Sequence, residues 1–152
     1  MIVREATRAD LGSVVSLLHQ DMIRERDETH VPAEAYAAAF DEITADPHQL
    51  LLVGELDGEV VATVQVTWVR HLSYVGGLMC QVESLRVRSD LRGRGLGREL
   101  VQQVIDLART RGAARVELTT NARRVRAQEF YKGLGFVPSH VGMKLYLGEE
   151  HG

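Results

Sequence analysis

Between Arg88 and Arg98 the chain interleaves two residue types suited to binding phosphate: Arg88, Arg92, Arg94 and Arg98 alternate with Gly93, Gly95 and Gly97. Asp90 is the only opposing charge there. Glycines let a backbone turn sharply and approach a ligand closely. Unpaired amides at a helix start point toward an anion, and guanidinium groups add charge-assisted bonds. The ligand is not one read by a Walker loop, because Gly97 is followed by Arg98 and Glu99 where that loop needs Lys and then Ser or Thr. Nor does the dinucleotide fingerprint fit, since Arg98 stands where it needs Gly or Ala. Taken alone, "GRGLG" also suits a plain tight turn.

The wider pattern is more specific. Val87, "RGRGLG", an amphipathic helix and then "TTNARRVRAQEFYKGLGF" together resemble the GNAT superfamily of acyl-CoA-dependent N-acetyltransferases. Arg92, Gly95 and Gly97 occupy the fixed positions of that family's Arg/Gln-x-x-Gly-x-Gly/Ala motif. Asn121, Phe130, Tyr131, Gly135 and Phe136 match its second motif. The resemblance implies that the stretch Arg92, Gly93, Arg94, Gly95, Leu96, Gly97 and Arg98 cradles the pyrophosphate of coenzyme A. It also implies that main chain at Leu85, Arg86 and Val87 holds the pantetheine arm, with Asn121 bonding that arm or capping the next helix.

Acetyl transfer to an amine needs a neutral nucleophile, stabilised oxyanion charge and a protonated leaving thiol. An alkylamine has a pKa of about 10.4, so a base that takes its proton contributes roughly 10²–10⁴-fold. Glu83 is the candidate: many family members carry a Glu in this strand, and burial between Val82 and Leu85 would raise its pKa. The alternative is that Glu83 pairs with an arginine or binds substrate. Tyr131 is the candidate acid, since the family's tyrosine at this position reaches the sulfur; the alternative is a core tyrosine. Arg126 could reach a coenzyme phosphate or lie on a solvated helix face. Cys80 reads as a small buried residue and not as an acyl carrier, because the family transfers directly. The histidines, His71 and His140 included, show no metal-ligand spacing, so no metal is expected.

These residues need a scaffold, and 152 residues suit a single domain over 1–152. A net charge of −3 disfavours general nucleic-acid binding. The single cysteine excludes an intrachain disulfide, and no apolar run approaches a membrane span, so a cytoplasmic location is expected.

Periodicity predicts a strand over Ile2–Ala6 and a helix from about Arg8 to Gln20, with Thr7 and Asp10 forming an imperfect capping box. A second helix follows Pro32, roughly Ala33 to Ala45. Leu50–Leu56 and Glu59–Val69 flank a hairpin turn at Asp57–Gly58, with Val60, Ala62, Val64, Val66 and Trp68 on one face. A loop "HLSYVGG" leads to a strand over Met79–Val87. The helix after the glycine turn ends at Gly112. A strand at Ala114–Thr119, a helix holding Val125 to Leu134, and two short strands at Phe136–Pro138 and Val141–Leu147 complete the chain.

This order matches the GNAT arrangement: an α/β fold whose mixed, mostly antiparallel sheet is splayed between its fourth and fifth strands and flanked by about four helices. The functional expectation is transfer from acetyl-CoA to a small-molecule or peptide amine in a ternary complex. A noncatalytic acyl-CoA-binding module, or an acetylator of protein or aminoacyl-tRNA amines, is the alternative. Acceptor contacts are expected from Met22–Val31, Arg70–Gly77 and Ser139–Gly142. Homodimerisation is common in the family, and "VGMKLYL" is a candidate contributor.

Overall fold

The computed structural model describes residues 1–20 and 28–148. Its centre is one sheet of five strands in sequence order: β1 (Ile2–Glu5), β2 (Gln49–Leu56), β3 (Glu59–Arg70), β4 (Leu78–Val87) and β5 (Arg115–Leu118). The first three pairings are antiparallel and β4 with β5 is parallel. Helices α1 (Leu11–His19) and α2 (Ala37–Ala45), each preceded by a short 3₁₀ turn, cover one face. The helix α4 (Leu96–Thr110) covers the other, α5 (Val125–Gly133) follows β5, and α3 (Ser73–Gly76) is a single turn between β3 and β4.

The two faces follow from alternation of side chains along each strand. Leu52, Val64, Val66, Trp68, Cys80 and Val82 point toward α4, whose Leu100, Val104 and Ala108 recur at helical spacing and are essentially fully buried. Val53, Ala6, Val14, Val15 and Phe40 form the second core beneath α1 and α2. Val60 joins this second core instead of lining up with Ala62 to Trp68 as its alternation suggests. The cause is a bulge: Glu55 pairs with Val60 and Gly54 with Ala62, so Val61 is an extra residue that turns the strand over.

A second irregularity matters more. Val66 pairs with Val82 and Gln65 with Glu83, but Thr63 pairs with Arg86, and Ser84 has φ of +54°. The inserted residue shifts the phase of β4, so that Leu85 and Val87, not Ser84 and Arg86, continue the α4-facing row begun by Val82.

Two sequence expectations are overturned. Phe136–Pro138 and Val141–Leu147 form no strands, and β5 is the edge of the sheet among the described residues. A strand needs a ladder partner for its amides and carbonyls, and this segment has none in register. The expected loop after Arg70 contains the turn α3, in which Tyr74 and Val75 adopt φ of +54° and +55°. That left-handed conformation is costly for a β-branched residue. The Arg115 guanidinium lies 4.8 Å over the Tyr74 ring and ties the turn to the start of β5.

The start of α1 is fixed by charge. The carboxylate of Asp10 accepts the Thr7 backbone N–H at 2.7 Å and two guanidinium bonds from Arg4, at 2.7 and 3.0 Å. Arg4 also donates to Glu55 at 2.9 Å, joining β1, β2 and the helix entry. The Arg4 bond is the main reason that the Asp10 carboxyl is lowered to about 2 from its ordinary 3.8. A depressed carboxylate stabilises the fold above its unfolded pKa, and the contribution fades as pH falls through the folded value. Asp10→Asn should therefore cost about 1–3 kcal/mol at neutral pH. In urea titrations the gap from the native protein should close between about pH 4 and pH 2.

Candidate active site

Pairing between β4 and β5 covers only Met79–Val82 against Arg115–Leu118. β5 then ends, while β4 runs on to Val87 along β3. Among the described residues the stretch Glu83–Val87 thus has a ladder partner on one side and a gap on the other. The Arg86 Nη1 donates to the Leu85 carbonyl at 2.9 Å, which occupies one acceptor at the rim of this gap.

From Val87 the chain enters a 3₁₀ turn, Ser89–Leu91, whose Leu91 is buried as an anchor. The exposed sequence Arg92–Gly95 follows, with Gly93 at φ of +80° and Gly95 at +81°. Gly95 is the N-cap of α4 and brings no side-chain cap to its first amides. Its carbonyl accepts the Glu99 N–H at 3.0 Å, so the first helical bond is made while the amides of Leu96, Gly97 and Arg98 point out of the helix start. A Cβ at Gly95 meets no atom within 4 Å, so the requirement for glycine is conformational. An L side chain there costs roughly 1–2 kcal/mol.

Gly97 has another role. A Cβ on it would stand 3.4 Å from Val87 Cγ2 and 3.6 Å from Phe130 Cζ. The first turn of α4 therefore packs closely on the end of β4 and on α5. Tyr131 follows Phe130 on α5, and the charge of Arg86, on the open stretch of β4, reaches its phenol. The Tyr131 ring meets Phe130 edge-on at 5.1 Å and Phe136 at 5.7 Å between centroids. Burial raises its phenol pKa above the ordinary value, an effect partly offset by the positive charges of Arg86 and Arg124. Tyr131 is thus a partly buried phenol that keeps its proton at neutral pH.

Glu83 departs from expectation. It is exposed, so desolvation between Val82 and Leu85 is not what surrounds it. Simple alternation explains the difference, because Val82 faces α4 and its neighbour Glu83 therefore points to the opposite face. Glu83 lies in the cross-strand row Leu51–Gln65–Glu83, on the face that carries α1 and α2 and beyond their cover. On that same face β4 and β5 carry a polar cluster that the sequence reading missed. Gln81 donates to Glu117 at 2.9 Å, and Arg115 donates to the other oxygen of Glu117 at 2.8 Å. These two bonds hold the Glu117 carboxyl below the usual range. The register of two parallel strands was the signal needed, and a single sequence does not print it.

Asn121 closes a turn: its Oδ1 accepts the Arg123 N–H at 2.9 Å, and its carbonyl accepts the Arg124 N–H at 2.9 Å. The N-cap of α5 is Arg124, so Asn121 shapes the approach to that helix without capping it directly. Arg126 is exposed on α5. Of the expected acceptor segments, residues 22–27 of the Met22–Val31 connector lie outside the described residues. Glu28 is described, and its Oε2 accepts the Tyr36 hydroxyl at 3.1 Å. His140 is exposed and its Nδ1 lies 2.7 Å from Ser139 Oγ. Among the described residues no cluster of three His, Cys, Asp or Glu could hold a metal ion. Likewise, no described helix is long and apolar enough to cross a membrane.

Comparison with known proteins identifies the family. Residues 14–136 match the profile of the acetyltransferase (GNAT) family. The chain belongs to that family, and with it to the acetyl-CoA-dependent N-acetyltransferases. The aminoalkylphosphonate N-acetyltransferase of Salmonella typhimurium is 29% identical over 138 residues, covering 91% of this chain and 86% of the relative. Glucosamine 6-phosphate N-acetyltransferase 1 of Oryza sativa subsp. japonica is 34% identical over 117 residues, covering 75% and 69%. A crystal structure described as a transcriptional regulator from Bacillus halodurans C-125 superposes with a TM-score of 0.88 at 38% identity, over 96% of this chain and 99% of that one.

Cys80 sits in the α4-facing core at 0% exposure, and burial pushes its thiol up to about 11. A thiolate nucleophile is therefore absent at working pH. Native protein should leave Cys80 unmodified by a thiol-specific disulfide reagent at pH 7.5, and mass spectrometry after incubation with acetyl-CoA should show no acetyl on it. Full reaction on unfolding, with none before, is the expected contrast.

Proposed function

We propose that this chain acetylates the primary amine of a small, anionic metabolite, with the thioester lying between β4 and β5. The observation that supports this most is the pairing boundary at Val82 and Leu118, which opens the main chain of Leu85–Val87 beside the uncapped start of α4. In this reading Gly93, Gly95, Leu96, Gly97 and Arg98 offer amides to the coenzyme pyrophosphate, flanked by Arg92 and Arg94. The strand Leu85–Val87 bonds the amides of the pantetheine arm as a neighbouring strand would. Asn121, with its side-chain carbonyl already engaged, has its amide nitrogen left to donate to the same arm.

The chemistry then divides between two groups. Glu83 accepts the ammonium proton of the acceptor through water, consistent with its exposed place on the α1/α2 face. From that exposed position its carboxylate relays the proton to solvent. Main-chain N–H in β4 stabilises the charge that builds on the thioester oxygen. Tyr131, protonated and half-buried, donates its proton to the departing sulfur.

The acceptor's anionic character has two supports. Arg86 and Arg124 both place positive charge near the Tyr131 phenol. In addition, the names of two relatives specify a phosphonate-bearing and a phosphate-bearing amine. A regulatory acyl-CoA-binding module is the second reading, favoured by the description of the Bacillus halodurans structure.

The test measures thiol release from acetyl-CoA over a panel of amines with and without phosphate or phosphonate groups. Turnover should be highest with the anionic amines. Tyr131→Phe should lower kcat about 10²-fold or more with little change in KM for acetyl-CoA. Glu83→Gln should lower kcat most at neutral pH and less as pH approaches the amine pKa, because the free amine then needs no base. Coenzyme binding with no turnover on any amine would support the regulatory module instead.

A further inference from the structure

The α1/α2 face of the sheet turns polar beyond the cover of those helices. Along β4 this face carries Gln81, Glu83 and Arg86, since Cys80, Val82, Leu85 and Val87 pack on the α4-side core. Across the pairing, Gln49, Thr67, Gln81 and Glu117 form one row, and Leu51, Gln65 and Glu83 the next. The two rows are tied together where Gln65 Nε2 donates to Gln49 Oε1 at 3.0 Å. Gln49, Gln65 and Gln81 thus make a floor of side-chain amides with charge at both ends. Arg86 stands toward the coenzyme loop, and Arg115 with Glu117 stands at the opposite end.

Arg115 is the most constrained cation on this floor. Its Nε donates to Glu117 Oε2 at 2.8 Å, and its guanidinium carbon lies 4.8 Å from the centre of the Tyr74 ring. Glu117 is held in turn by Gln81, which donates to its other oxygen at 2.9 Å. A planar guanidinium fixed through Nε and through one face keeps its outer edge, Nη1 and Nη2, for a bidentate partner. That edge matches the oxygens of a phosphoryl or carboxyl group. The Arg115 side chain is 37% exposed, so solvent and solutes reach it. Glu117 is less suited to reading a cation, because both of its oxygens already accept bonds. Tyr74 holds the stacking ring from a left-handed turn at φ of +54°, and backbone strain of this kind gathers at ligand sites.

We propose that Arg115 binds the anionic group of the acceptor, with Gln81 and Glu117 as the positioning residues that aim it. The direction follows from Glu83. In the proposed reaction the acceptor amine lies beside Glu83. On the Arg86 side of Glu83 stand the thioester and the Tyr131 phenol, which the charge of Arg86 reaches. The rest of the acceptor then runs the other way along β4, over Gln81 toward Arg115. Two residues of strand and one step between strands separate Glu83 from Glu117, a span of about 8 Å. An extended chain advances roughly 1.25 Å per single bond, so about six bonds part the reacting nitrogen from the anionic centre. The acceptor class is therefore a primary amine with its oxyanion at the far end of a chain of that length. The place of the amine rests on the acetyl-transfer reading, and the anion contact at Arg115 does not.

The test compares ω-aminoalkylphosphonates of increasing chain length with the matching alkylamines, on the full chain. With the native protein kcat/KM should peak near the five-carbon phosphonate, well above the two-carbon one. The ratio of kcat/KM for 5-aminopentylphosphonate to that for pentylamine should fall at least about tenfold in Arg115→Gln, with the loss in KM. Arg115→Lys, a point charge without the fork, should recover only part of that ratio, and Glu117→Gln should lower it by less than Arg115→Gln does. Calorimetry with pentylphosphonate, which has no amine to acetylate, on protein saturated with coenzyme A reads the contact without turnover. Arg115→Gln should weaken that binding by a similar factor. A flat chain-length profile, a ratio that survives Arg115→Gln, or pentylphosphonate that fails to bind or binds equally well without Arg115 would each overturn the proposal and leave acetylation standing. If no amine is turned over but pentylphosphonate binding needs Arg115, the anion contact is upheld and the acetyl-transfer reading falls alone.

Discussion

The site depends on a ladder that stops. β4 and β5 bond from Met79 to Val82 and no further, and everything proposed for the thioester follows from the main chain left open beyond that boundary. Unpaired backbone is costly in a folded protein, so such a gap persists only where the surroundings enforce it or a ligand fills it. Here the surroundings do enforce it. The bulge at Ser84 turns β4 over, and the close packing of Val87, Gly97 and Phe130 pins the end of the strand to α4 and α5. The opening is therefore built into the core instead of being left to a loop.

Burial then sorts the ionisable groups by task. The Cys80 thiol, sealed in the core, is pushed up and made inert. The Tyr131 phenol, half-buried with two arginines in range, keeps a proton yet stays at the surface of the gap. Glu83, on the opposite face from Val82, is exposed to water. Two carboxylates are locked as structure: Asp10 by Arg4 and Thr7, and Glu117 by Gln81 and Arg115. A carboxylate gripped by strong donors has lost the basicity a proton acceptor needs.

Much of the fold was legible from residue types. The spacing of Leu100, Val104 and Ala108 fixes α4, and Gly93 and Gly95 announce a tight turn, which the backbone makes with both glycines at positive φ. The strand boundaries fall within a residue or two of those expected from alternation and turn signals. What failed has common causes. Bulges at Val61 and Ser84 reversed the facing of Val60 and of Leu85, because an inserted residue leaves no mark in the pattern of one strand. The tail carries strand periodicity without a strand, since periodicity reports a face to be buried and not the partner that buries it. The Gln81–Glu117–Arg115 cluster is set by the register between strands far apart in sequence.

The central claim is that the open edge of β4 and the uncapped start of α4 act together as one binding surface. Amide hydrogen exchange on the free protein and with saturating acetyl-CoA tests it most directly. The account predicts that Leu85–Val87 and Gly93–Arg98 gain protection at the same ligand concentration while the β1–β2 ladder is unchanged. Binding that leaves both stretches exchanging at their free rates, or that protects residues elsewhere in their place, would contradict it.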